Sequence, residues 1–186
     1  MAGERDPAAL PKDLPVPHDD GAAAHLPGRR LPPVALTASS GEAVDLAAVP
    51  GRAVVFAYPR TGRPDDPPEA DWDAIPGARG CTPEVCSIRD EHGRFAELGV
   101  AVFGLSAQAP EEQAEAAARL ALPYPLLSDA GGELAGALEL PTFRSRGDTL
   151  LKRVTLLVRD GVVDEVIYPV FPPDGAAAAA LDRLSA

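Results

Sequence analysis

Two cysteines are the only thiols in the chain. They lie five residues apart in the stretch Gly80-Cys81-Thr82-Pro83-Glu84-Val85-Cys86-Ser87-Ile88-Arg89-Asp90. Pro83 suits the first turn of a helix, where its missing N–H costs nothing, and Glu84 favours the positive end of the helix. Cys81 is therefore expected at or just before a helix N-terminus. Unpaired amides and the helix dipole stabilise an anion there, so the reading predicts a thiol with a lowered pKa that acts as a nucleophile near neutral pH. Cys86 falls inside the same helix.

The spacing has a mechanical consequence. Five residues along an α-helix rise about 7.5 Å and turn through roughly 500°, which sets the two Cα atoms about 8–9 Å apart. A disulfide needs them within about 7 Å. The pair can bond only if the first turn unwinds, which suggests a cycle between a reduced helical state and an oxidised, locally unfolded one. A static structural disulfide, two unrelated buried thiols, and a zinc site remain as alternatives. For zinc the only other soft ligands are His18, His25 and His92, and the first two fall in a stretch that reads as a solvated tail.

The elements that must hold this stretch are legible around it. Arg52 to Tyr58 is a continuous apolar run, as expected of a buried strand. Before it, Val34-Ala35-Leu36 and Ala43-Val44-Asp45-Leu46 flank a Ser39-Ser40-Gly41 turn and read as a small hairpin. The cysteine helix should run to about Leu98, with Gly99 ending it. Val100 to Leu105 gives a second buried strand, and Pro110-Glu111-Glu112 opens a helix reaching about Leu120. Leu126 to Asp129 is a short extended piece, and Glu133 to Leu138 a short helix. Leu150 to Val158 and Val162 to Tyr168 form an antiparallel pair around Arg159-Asp160-Gly161, and Ala176 to Leu184 closes the chain as a helix. This order predicts an α/β fold with a mixed central sheet flanked by helices and an N-terminal hairpin.

Residues 1–30 are rich in Pro, Ala, Gly and charge without periodicity, and read as a tail or surface arm ahead of a single domain at 31–186. Between Pro59 and Gly80 lies an odd connection with five prolines, five acidic residues and the only tryptophan, Trp72. So long a connection in a compact domain is commonly functional. Trp72 and Ile75 could pin it near Cys81 as a lid; otherwise it is a loose surface loop. The chain has 186 residues, is 46% hydrophobic and carries a formal net charge of −11. An acidic surface argues against nucleic acid or an anionic membrane as partner, and no apolar run reaches membrane-spanning length. The N-terminus has no apolar core of a signal peptide, so a cytoplasmic location is expected. In that compartment two nearby cysteines are more often catalytic than structural.

The element order and the Gly-Cys-Thr-Pro-Glu-Val-Cys-Ser-Ile-Arg-Asp text at 80–90 resemble the thioredoxin-fold peroxiredoxins, in particular the Q-type (bacterioferritin-comigratory-protein-like) members. The resemblance covers about residues 31–184. It implies a peroxidase that needs no cofactor or metal: Cys81 peroxidatic, Cys86 resolving, and Arg153, just before Thr155-Leu156-Leu157-Val158, the active-site arginine. It implies a hydroperoxide substrate, met by Pro59, Thr61, Gly80 and Glu84, and thioredoxin or a similar dithiol as reductant. Whether the protein is a monomer or homodimer is left open. Apart from the resemblance, Arg153 could be an exposed strand charge like Lys152, Glu84 a simple helix-start charge, and His92 a helix-face residue. The chain also departs from the family. Proline and threonine are usual seven and three residues before the peroxidatic cysteine; here those positions are Ala74 and Ala78. Pro59 stands 22 residues before Cys81 (81 − 59), or 15 more than usual (22 − 7). An insert at about 60–78 follows, with Thr61 displaced. Thr61 folded back or a backbone amide near Cys81 must then orient the peroxide. Two further classes stay open: a non-catalytic redox sensor, and a thioredoxin-like disulfide oxidoreductase, for which Cys-x-x-Cys is absent.

Overall fold

The computed structural model describes residues 9–65 and 71–186. Its centre is a seven-stranded mixed sheet of order β2-β1-β5-β4-β3-β8-β9. β1 (Ala35–Ala38) and β2 (Ala43–Asp45) form the expected hairpin, and β1 also pairs antiparallel with β5 (Leu126–Ser128). β3 (Arg52–Ala57), β4 (Val100–Ser106) and β5 run parallel, while β8 (Val154–Arg159) and β9 (Val162–Ile167) return antiparallel beside β3.

β3 is buried on both faces, which is why it reads as an unbroken apolar run. Val54, Phe56 and Tyr58 point to one side, where they meet Val85, Ile88 and Phe95 of α1 (Cys81–Glu97) and Ala177, Ala180 and Leu181 of α4 (Ala176–Leu184). Ala53, Val55 and Ala57 point to the other, toward Leu134 and Leu138 of α3 (Glu133–Leu138). The period-2 alternation of a strand thus separates two cores. α2 (Pro110–Arg119) begins at the proline and acidic pair that announced it; Glu112 turns back to accept from the Ala109 amide at 2.9 Å. α1 stops where expected, with Gly99 at φ +65° just beyond its C-cap.

One expected element is corrected. The run Leu150 to Val158 is two strands, not one. Its first half is β7 (Asp148–Leu151), paired with β6 (Thr142–Ser145) in a separate two-stranded ribbon; its second half is β8 of the main sheet. The break falls at Lys152-Arg153, where the Lys152 amide donates to the Pro141 carbonyl at 2.8 Å and the Arg153 side chain turns into the interior.

Residues 9–30 lie along the body. Leu26 is fully buried in the core, the Gly28 amide donates to the Val163 carbonyl at 2.7 Å, and Arg30 bridges to Val162. His18 and His25 are exposed, although His25 Nε2 contacts the Leu138 carbonyl at 2.9 Å.

Candidate active site

Cys81 is the first residue of α1, and Gly80, at φ +107°, is its N-cap. Only a residue without a Cβ fits there. A Cβ on Gly80 would lie 2.5 Å from Cγ of Pro173 and 2.9 Å from Cδ2 of Leu10. The glycine therefore fixes how the helix leaves the preceding loop. Both cysteines are free thiols in α1, Cys81 buried and Cys86 half-buried.

Arg153 is the centre of the polar network. It is 3% exposed, so it is no surface charge. Its Nη2 lies 3.4 Å from Cys81 Sγ and also donates to the carbonyls of Gly77, Ala78 and Arg79 at 3.2, 3.4 and 3.2 Å. Its Nη1 donates to Glu84 Oε2 in a fully buried ion pair. Helical spacing explains the coincidence: residues 81 and 84 share one face of the first turn, so one guanidinium reaches both. Burial pushes Glu84 up to about 7 against the pull of Arg153. Its other oxygen, Oε1, has no hydrogen-bond partner among the described residues.

The expected lowering of the Cys81 pKa is not what this closed arrangement gives. Burial pushes the thiol up, and the neighbouring Glu84 carboxylate pushes the same way. Arg153 and the Arg60 backbone amide, which hydrogen-bonds the sulfur, pull it down without overcoming the loss of water. Helix-start position was legible in the sequence; complete burial of the first turn was not.

The remaining expected residues are placed as follows. Ala78, where the family's threonine falls, is buried, and its carbonyl faces the sulfur (Sγ to O, 3.7 Å). Thr61 does not present a free hydroxyl. Its backbone amide and Oγ1 both donate to Gln108 Oε1, at 2.9 and 3.3 Å. The Pro59 carbonyl accepts from Ser106 Oγ at 3.0 Å. Backbone of residue 60, not a threonine, is thus the donor that meets Cys81 from the strand side. Ser106, the last residue of β4, and Gln108, in the loop that follows, fix that backbone, and no motif in the sequence pointed to them. Trp72 is buried against Phe143 (centroids 6.2 Å apart), Ala78 and Leu150, with the Arg60 guanidinium 4.8 Å above its ring. The insert is pinned there and again where Arg119 Nη2 donates to the Gly62 carbonyl at 3.0 Å; residues 66–70 lie outside the described part.

A cleft of about 310 Å³ opens on the outer side of Arg153, walled by Ile75, Pro76, Phe143, Tyr168 and Val170 and by Pro17 of the arm. Lys152 stands at its edge, paired with Asp20 at 2.6 Å, and the Tyr168 hydroxyl donates to the same carboxylate at 2.8 Å. Among the described residues no group of three or more His, Cys, Asp or Glu side chains could hold a metal ion, and no helix is long and apolar enough to cross a membrane.

Such a thiol, paired with arginine at the start of a helix that packs on a mixed sheet, defines the class as thiol-based redox proteins of the thioredoxin-like fold. The comparisons specify it further. A family model described as Redoxin matches residues 26–182. Peroxiredoxin Q from Sedum lineare is 31% identical over 79% of this chain and 71% of its own length. Peroxiredoxin Bcp from Bacillus subtilis is 31% identical over 61% of this chain and 63% of its own length. The crystal structure of peroxidoxin BcpB from Mycobacterium tuberculosis superposes with a TM-score of 0.69 at 29% identity, covering 87% of this chain and 97% of that one. The chain belongs to the Redoxin family, among the peroxiredoxins of the Q and Bcp kind.

Proposed function

We propose that the protein is a thiol-dependent peroxidase that reduces hydrogen peroxide or organic hydroperoxides through Cys81. The observation that carries this reading is the 3.4 Å contact between Cys81 Sγ and Arg153 Nη2 at the first residue of α1. The Cys81 thiolate attacks one oxygen of the hydroperoxide: an S–O bond forms, the O–O bond breaks, and the departing oxygen takes a proton to leave as water or alcohol. Cys81 becomes a sulfenic acid. Arg153, the Arg60 amide and the helix-start amides favour the thiolate and the charge that grows on the leaving oxygen. Each such donor, well placed, contributes about 3–4 kcal/mol. Pro59, Thr61 and Gly80 hold the backbone around the substrate rather than touching it with side chains, and Glu84 orients Arg153. The cleft beside Arg153 offers room for the organic part of a larger hydroperoxide, and the segment pinned by Trp72 acts as a lid.

Cys86 then attacks the sulfenic sulfur. The S–S bond forms and the hydroxyl leaves as water. Because five helical residues hold the Cα atoms about 8–9 Å apart, beyond the reach of a disulfide at about 7 Å, this step needs local unwinding. A dithiol protein such as thioredoxin in the cytoplasm restores both thiols by exchange, its own pair being oxidised. The test is peroxide consumption coupled to thioredoxin and its reductase. Cys81→Ser is expected to abolish turnover, and Cys86→Ala to allow one equivalent of peroxide to react and then stall. Full thioredoxin-linked turnover by Cys86→Ala would remove the resolving role.

A further inference from the structure

The unwinding step needs a boundary: some turn of α1 must give way while the rest holds. Tyr124, in the loop before β5, is 4% exposed and is used by nothing in the chemistry above. Its hydroxyl donates to the Val85 carbonyl at 2.7 Å. Val85 lies between the two cysteines and directly precedes Cys86. Within the helix that carbonyl is also the acceptor for the amide four residues on, so the tyrosine adds a second bond to a group the helix already satisfies. The tyrosine ring is held in turn by His92, two turns further along α1, stacked at 6.1 Å with a 21° interplanar angle. One side chain therefore ties the turn that carries Cys86 to the body of the protein.

We propose that Tyr124 is a positioning residue for disulfide closure: by holding the Val85 carbonyl it keeps the Cys86 turn helical and sets how long the Cys81 sulfenic acid persists. Two reactions compete for that intermediate. Cys86 attacks the sulfenic sulfur with loss of water, forming the disulfide. Alternatively a second hydroperoxide transfers an oxygen to the sulfur and leaves as water or alcohol, forming the sulfinic acid. Loosening the tether raises the population of the opened turn, speeds the first reaction and so lowers the yield of the second. The inference rests on Cys81 and Cys86 having the roles proposed above.

Tyr124→Phe removes the hydroxyl and keeps the ring against His92, and Val85 keeps its partner within the helix, so no buried acceptor is stranded. With the full-length protein and hydrogen peroxide, rapid quenching followed by thiol alkylation and mass spectrometry reads both steps. Sulfenic acid formation at Cys81 is expected at the wild-type rate. Disulfide formation is expected about fivefold faster, the effect on an opening equilibrium of losing one buried neutral hydrogen bond. Cys81 sulfinic acid formed per turnover is expected to fall in proportion. Val163→Ala, in β9 away from α1, is the control for general loosening. It should lower thermal stability without moving the partition. Unchanged or slower closure in Tyr124→Phe overturns the inference, as does an equal change in Val163→Ala. If the wild type forms no Cys81–Cys86 disulfide at all, the resolving role itself falls, which is a separate outcome.

Discussion

Arg153 serves two anions of unequal value to it. Glu84 is its fully buried partner, a carboxyl that burial raises to about 7, while the Cys81 thiolate exists only when the sulfur is ionised. The sign of each substitution follows. A positive charge beside the thiol favours the thiolate and a negative one opposes it. Arg153→Met is therefore expected to move the pH midpoint of Cys81 alkylation by iodoacetamide upward, and Glu84→Gln to move it downward. The peroxide rate constant should fall at least about 100-fold in Arg153→Met, the usual cost of losing one preorganised donor. Stability separates the two roles of the arginine. Above neutral pH, where Glu84 would otherwise be ionised, Arg153→Met leaves a buried carboxyl without its cation and should cost up to about 3–5 kcal/mol in urea unfolding, whereas the double variant with Glu84→Gln should recover a good part of it. Additive losses would mean that the pair is not coupled. At this scale the sequence was informative only where a residue belongs to the cysteine motif or stands directly before β8, as Arg153 does. Gln108 and Ser106 hold the backbone on either side of Arg60, and the Arg60 amide meets the sulfur as main chain; contacts made to or by the backbone leave no trace in side-chain identity.

The cysteine helix was legible from both ends, because Pro83 and Gly99 each permit one kind of helix boundary and little else. The β6–β7 ribbon was not. Only Lys152 and Arg153 separate Leu150-Leu151 from the apolar run of β8, and two charges inside a strand are ordinary; the inward turn of Arg153 to Glu84 and the Lys152 amide's bond to Pro141 end β7 there. Gly80 shows the same limit. Its place before Cys81 was evident, but not that Pro173 and Leu10 close on it from the far ends of the chain. Gly80→Ala meets both a positive φ and a rigid proline ring 2.5 Å from the new methyl. Neither the ring nor the helix start can yield cheaply, so a loss above about 2 kcal/mol in chemical unfolding is expected. An alanine variant as stable as wild type would show that the first turn of α1 can shift freely, and the geometry around Cys81 would lose its rigidity with it.

For the molecule as a whole, the arm is the part composition described least well. Proline, alanine and charge without periodicity look solvated, yet contacts along residues 9–30 fasten the arm to the body, among them Leu10 on Gly80, Asp20 on Lys152 and Tyr168, Leu26 in the core and Gly28 on Val163. Ala23 and Leu26 are buried in the core without any repeat in the residues around them, so they carry no pattern for a reader of sequence to find. These contacts differ in kind, and so should their energetics. Asp20 is exposed, and its hydrogen bonds to Lys152 and Tyr168 hold its carboxyl well below the usual range. An exposed pair of this sort is screened by water and salt and adds little to stability. Leu26 is fully enclosed among Leu134, Leu138 and Val163 on the α3 side of the sheet. Leu26→Ala should therefore cost about 2–5 kcal/mol, since the cavity cannot collapse between a strand and a helix. Asp20→Asn should shift the unfolding midpoint barely at all. If the arm were only a tail laid on a finished domain, the two variants would be indistinguishable in urea unfolding. A large loss from Leu26→Ala alone makes residues 20–30 part of the fold that positions Lys152, the cleft wall and, one residue further, Arg153.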